Sequence, residues 1–196
     1  MRTAFKEWAI VVDALGRGEQ IIILRKGGIS EGRGGFKMEH SEFLLLPSLF
    51  HQQRESVVPS AQVRYDLIAP TLPKDDEIRI EFFAKVAEWK KLESLSDARA
   101  LLGQHIWKEQ VIEERFEWGG EHAIFAIAVR VFRLPKPFKG PMLPQYGGCK
   151  SWIELGTEIE STGGVPVLTD AEFKRKLSAL QILTVPGPME SQLQPK

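Results

Sequence analysis

Residues 77–89 read EIRIEFFAKVAEW, and their alternation decides the fold class. Ile78, Ile80, Phe82, Ala84 and Val86 fall on one face and Arg79, Glu81 and Lys85 on the other, the two-residue period of a long, half-buried strand. The adjacent Phe82 and Phe83 break that period, so a bulge is expected near Phe83. Downstream, AIFAIAVRV at 123–131 is apolar at nearly every position until Arg130 and Arg133. It reads as a central strand covered on both faces.

Working outward, QIIILRK at 20–26 is a β-branched run that reads as a buried strand with Arg25 and Lys26 emerging at its end. FLLL at 43–46 is a second strand-like run. In Thr3 to Leu15, the residues Phe5, Trp8, Val11, Val12 and Leu15 stand three and four apart, a helical stripe that Gly16 and Gly18 stop; Trp8 to Val12 also reads as a strand. Pro47, Pro59, Pro70 and Pro73 argue for extended segments and turns over Val57 to Leu72. Ser96 is an expected N-cap for a short helix to Leu102, His105 to Trp118 an expected helix stopped by Gly119 and Gly120, and Thr169 with Glu172 a capping box opening a last helix to about Leu180. LPKPFKGPMLPQYGG at 134–148 reads as a proline-rich excursion that delivers Cys149, Lys150, Ser151 and Trp152 into a short strand. Strands separated by helices at uneven intervals predict a single α+β domain over residues 1–183, with a mixed or mostly antiparallel sheet flanked by helices. Residues 184–196 lack apolar periodicity and are expected to form a flexible tail.

The 196 residues, 43% of them hydrophobic, suffice for one domain burying roughly 70% of its unfolded surface. Lys plus Arg and Asp plus Glu number 26 each, so no net field draws in polyanions and any nucleic-acid contact must come from a local patch. Cys149 is the only cysteine, which excludes an internal disulfide and a multi-thiolate zinc site and fits a reducing compartment. Neither a signal peptide nor a transmembrane run is recognisable. The expectation is a soluble cytoplasmic protein without membrane contact.

The most functional-looking segment is RKGGISEGRGGFK at 25–37. Arg25, Lys26, Arg33 and Lys37 supply positive charge, and the glycines, Gly27 and Gly28 first, let backbone N–H groups approach an anion closely. A phosphate or a nucleic-acid backbone is the natural partner. The alternative is a hairpin loop solvated by Glu31, Glu39 and Glu42. The segment is neither a P-loop nor a G-x-G-x-x-G fingerprint. His51 and Gln52 follow a strand end, where they would read a ligand's polar edge, serve as acid or base, or simply bond structurally. Trp107 and Trp152 are candidates to stack on a base, with core packing as their alternative. His105, Glu109 and Glu113 at four-residue spacing would share a helix face and, with His51, supply a metal-dependent phosphodiesterase or nuclease-like site; a salt-bridged solvated face is the simpler account. Cys149 beside Lys150 is a candidate nucleophile or inert packing, and Ser151 lacks a nucleophile-elbow context.

The segments KEWAIVVDAL, ILRKGGISEG, FLLLP with HQQ, HIWKEQVIEERFEW and YGGCKSWIEL together resemble the prokaryotic family named domain of unknown function 1802, in order from about Lys6 to about Leu168. The resemblance marks Arg25, Lys26, Gly27, Gly28, His51, Gln52, His105, Trp107, Glu109, Gln110, Glu113, Arg115, Gly147, Gly148, Cys149 and Trp152 as motif positions, and implies no role for any of them. The opening, from Trp8 through Gly18 to Arg25, also looks like the start of ASCH and PUA-like domains, which implies RNA or modified-nucleotide binding. The strand reading of Trp8 to Val12 followed by IIILRKGG is similar to the start of a Nudix hydrolase. No Nudix box follows, so that family's chemistry is not implied. The leading expectation is nucleic-acid or nucleotide binding through the basic glycine-rich segment, with no metal site and no cofactor assigned; a protein-interaction module is the remaining alternative.

Overall fold

The structure is a computed structural model that describes residues 1–26, 38–48, 53–73, 76–120 and 122–180. In chain order its elements are β1 (Thr3–Trp8), α1 (Ala9–Gly16), β2 (Ile22–Arg25), β3 (Glu42–Ser48), α2 (Pro59–Ile68), β4 (Glu77–Leu92), α3 (Leu95–Arg99), α4 (Glu109–Glu117), β5 (Ile124–Pro141), β6 (Trp152–Glu154), β7 (Val165–Pro166) and α5 (Asp170–Ala179). The fold is α+β, with one mixed sheet ordered β2-β5-β4-β3-β1-β6 and β7 added alongside β5. Only the β1–β3 pairing is parallel among the described strands.

β4 and β5 form the long antiparallel spine expected from their sequences, running from Glu77 opposite Pro141 to Leu92 opposite Ile124. The irregularities fall on either side of Phe83, between Ile80 and Phe82 and between Val86 and Glu88. β3 alternates inside a continuous apolar run. Phe43 and Leu45 join the larger core with α1 and α4, while Leu44 and Leu46 join a second core with Ile78, Ile80 and Leu134 on the opposite face. A strand covered on both sides needs apolar residues at every position, which is why FLLL carries no two-residue period.

Five expectations are corrected. Thr3 to Leu15 is strand first and helix second, because β1 is buried between β3 and β6 and its apolar spacing mimics a helical stripe. Val57 to Leu72 contains the helix α2: Pro59 occupies its first turn, where the missing N–H costs nothing, and Pro70 lies beyond its end. The helix expected from His105 begins only at Glu109, and Trp107 bridges to Val57 as a short extended piece. The proline-rich excursion is largely strand; Pro135 and Pro137 sit between the paired residues Arg133 and Phe138, where β5 bulges and no ladder bond is required of them. The expected cap at Ser96 is also absent, since Ser94 flanks that helix and the two hydroxyls bond each other at 2.6 Å.

Gly18 at φ 67° and Gly119 at φ 75° follow α1 and α4 in the left-handed conformation that ends a helix. The capping box of α5 forms as read: the Glu172 N–H donates to Thr169 Oγ1 at 3.3 Å and the Thr169 N–H donates to Glu172 Oε2 at 3.0 Å. Thr169→Ala is expected to cost about 1 kcal/mol, measured by chemical denaturation, with a change below a few tenths counting against the cap's role. No helix among the described residues is long and apolar enough to cross a membrane. The residues assigned to the tail lie outside the described residues.

Candidate anion-binding site

The sheet curls so that its outer strands β2 and β6 approach. At their junction the Arg25 Nε donates to Ser151 Oγ at 2.8 Å, and the guanidinium lies over the Phe5 ring at 5.4 Å. Arg25 ends β2 at one edge of the sheet and Ser151 leads into β6 at the other, so their bond joins the two edges. The remaining nitrogens of Arg25 have no partner among the described residues.

Arg115 enters the same junction from α4. Its half-buried guanidinium lies 3.9 Å over the Trp107 ring and 5.0 Å from that of Trp8, and Nη1 donates to the Leu24 carbonyl at 3.3 Å. The two indoles meet edge to face at 4.4 Å. Burial lowers the Arg115 pKa to about 10, with Arg25 pushing the same way and Glu7 opposing. The group remains a cation at neutral pH.

Glu7 is the acid in this surround. It is only 2% exposed, shares a face of β1 with Phe5, and its Oε1 accepts the Trp8 N–H at 2.7 Å. Burial raises its pKa, against the pull of Arg25 and Arg115. Two further cations have occupied heads: Lys6 Nζ donates to the Tyr146 and Gly148 carbonyls, and Lys26 Nζ to those of Phe116 at 2.8 Å and Ala123 at 3.0 Å. Burial lowers the Lys6 pKa; Cys149 opposes that shift, while Arg25 and Lys150 add to it.

Of the residues singled out from sequence, Arg25 and Lys26 stand here, and Trp152 lies beside them in edge contact with Phe5, Phe43 and His40. Gly27, Gly28, Arg33, His51 and Gln52 lie outside the described residues. Trp107 is 1% exposed with Arg115 on its face, so it serves the packing of the junction rather than offering a surface for a base. The His105, Glu109 and Glu113 set is not assembled: the helix starts after His105, Glu109 and Glu113 both pair with Arg99, and His105 is buried with Nδ1 accepting the Trp107 N–H at 3.2 Å. No group of three or more His, Cys, Asp or Glu among the described residues is placed to hold a metal. Cys149 is exposed, Ser151 is buried as the Arg25 acceptor, and the buried Tyr146 hydroxyl accepts the Gly156 N–H at 2.9 Å.

Sequence reasoning missed Lys6 and Glu7 as site residues, and marked Arg115 only as a motif position without a role. The available signal was Glu7 itself, an acid inside the run FKEWAIVV that a buried strand excludes unless cations are near.

No match is found among curated proteins. Among solved structures, two crystal structures of variants of ZmASCH from Zymomonas mobilis are similar. One is 13% identical with a TM-score of 0.41 over 91% of this chain and 94% of that one. The other is 12% identical with a TM-score of 0.43 over 90% and 96%. The family model described as "Domain of unknown function (DUF1802)" matches residues 4–179. Nearly the whole described fold falls within that match, and the chain belongs to the DUF1802 family.

Proposed function

We propose that this chain binds a phosphate-bearing ligand, a nucleic acid or a nucleotide, at the junction of Arg25 and Arg115. The observation that carries this reading is the convergence of two half-buried guanidinium groups on one place, each fixed over aromatic rings, around an acid that burial makes hard to ionise. A guanidinium keeps its charge when partly desolvated and presents a planar fork suited to oxyanions. Because its orientation is already set by Ser151 and Phe5, Arg25 would lose little side-chain freedom on binding. Lys6 and Lys26 add positive potential, and the glycine-rich segment that follows Lys26 would bring further backbone donors.

The test is binding of labelled oligonucleotides and nucleotides to the wild type and to Arg25→Gln, followed by anisotropy at two salt concentrations. A charge-assisted bond contributes about 1.5–3 kcal/mol, so Arg25→Gln is expected to weaken binding by roughly ten- to a hundredfold with an unchanged melting profile. Intact affinity in this variant, or no binding by the wild type, overturns the reading. Arg25→Ala with Lys26→Ala should lose still more, although Lys26 also ties two backbone carbonyls and that pair needs a folding control.

A protein partner is the second reading, on a separate observation. Val63 and Leu67 stand one turn apart on α2 and are 65% and 71% exposed.

A further inference from the structure

Resting on the proposed phosphate site, we infer that its ligand is a compact phosphomonoester of nucleotide size, bound through its terminal phosphate dianion, and not a nucleic-acid strand. A strand needs a track of available cations spaced along successive phosphates, together with platforms for its bases. Most arginines of the described surface are already taken by carboxylates. Arg17 and Arg64 pair with Asp13, Arg54 with Asp66, Arg99 with Glu109 and Glu113, Arg130 with Asp170, and Arg133 with Glu81. Arg25 and Arg115 have no carboxylate ion-pair partner among the described residues, and both act electrostatically on the one buried acid, Glu7.

The capacity of that junction is about one phosphate group. The heads of Lys6 and Lys26 are committed to backbone carbonyls and contribute field more than contact. Arg25 gives Nε to Ser151 and Arg115 gives Nη1 to Leu24, which leaves one partial fork from each. Two forks beside one buried acid match the three terminal oxygens and double charge of a monoester better than the two free oxygens and single charge of a diester. Glu7 fits the same ligand when protonated, since its carboxyl can then donate to a phosphate oxygen; the arriving dianion favours that proton.

The experiment is calorimetric titration of the full chain, at fixed ionic strength, with four probes: a nucleoside 5′-monophosphate, the matching nucleoside, inorganic phosphate, and an eight-nucleotide RNA with hydroxyl groups at both ends. The monophosphate is expected to bind at least tenfold tighter than the nucleoside or the RNA, to weaken as the pH falls through about 6 where the dianion takes a proton, and to lose at least tenfold in Arg25→Gln. Inorganic phosphate is expected to compete with it. Tighter binding of the RNA than of the monophosphate, with loss in Arg25→Gln, overturns the monoester inference and leaves the phosphate site standing. Binding that ignores Arg25→Gln, or no binding of any anionic probe, overturns both. Arg115→Lys provides a second variant that keeps the charge and loses the fork; equal affinity there also counts against a forked dianion site.

Discussion

Replacing Trp107 with Ala is expected to lower the free energy of unfolding by about 3–5 kcal/mol, the range for removing a fully buried large aromatic side chain. Trp107 is 1% exposed, packs edge to face on Trp8, carries the Arg115 guanidinium 3.9 Å above its ring, and pairs its backbone with Val57. Removing the indole opens a cavity and strips the aromatic face from a half-buried cation, two costs that fall on the same place. Urea denaturation of the variant measures the loss. Trp118, 52% exposed, is the control, and Trp118→Ala is expected to change stability by less than about 1 kcal/mol. Equal effects of the two changes would remove Trp107 from the organising position given to it here. Because the contacts lie beneath the candidate site, Trp107→Ala should also weaken anion binding through misplacement of Arg115.

The second large effect is acid destabilisation through His105. This imidazole is 6% exposed, and burial, aided by Arg115, lowers its pKa from 6.5 to about 4. The unfolded chain binds the proton near pH 6.5 and the folded chain only near 4, so stability falls as the pH drops between these values. The full gap corresponds to roughly 3 kcal/mol at the acid end and nothing above about pH 7. His105→Asn, which keeps an acceptor for the Trp107 N–H, is expected to flatten the stability profile across this window. Melting temperatures from pH 4 to 8 decide it, and an unchanged slope in the variant would rule out His105 as the source. Glu7 works in the opposite direction. Its folded pKa is raised above 4.5, so its contribution is present in acid and is lost as the pH climbs through the folded value.

The elements that were legible in the sequence are those whose signal is local. The alternation of Glu77 to Trp89, the apolar run at 123–131 and the Thr169–Glu172 box each contain their own physical reason within a few residues, and both strands and the box form; the single face read for Ile78 to Val86 does not, because the irregularity between Ile80 and Phe82 puts Ile78 and Ile80 in the second core and Phe82 and Ala84 in the larger one. The misread segments are those in which tertiary burial set the pattern. The two-sided burial of β1 counterfeited a helical stripe, and the prolines around α2 bracket a helix instead of breaking one.

The sequence by itself determined the class of the fold, its long β4–β5 spine, its limit of one cysteine, and the charge of Arg25 and Lys26 at a strand end. Only the tertiary structure decided that Arg25, Glu7 and Arg115 form one cluster. Glu7 and Arg115 lie more than a hundred positions apart, and nothing in their spacing states that they meet. They meet because the curled sheet brings β2 back against the lead-in to β6, where Ser151 holds Arg25 over Phe5, and because α4 lays Arg115 across Trp8 and Trp107 at the same junction. Local preferences choose strands and helices; the closure of the sheet, driven by burial on both its faces, chooses which distant charges must share a low-dielectric space.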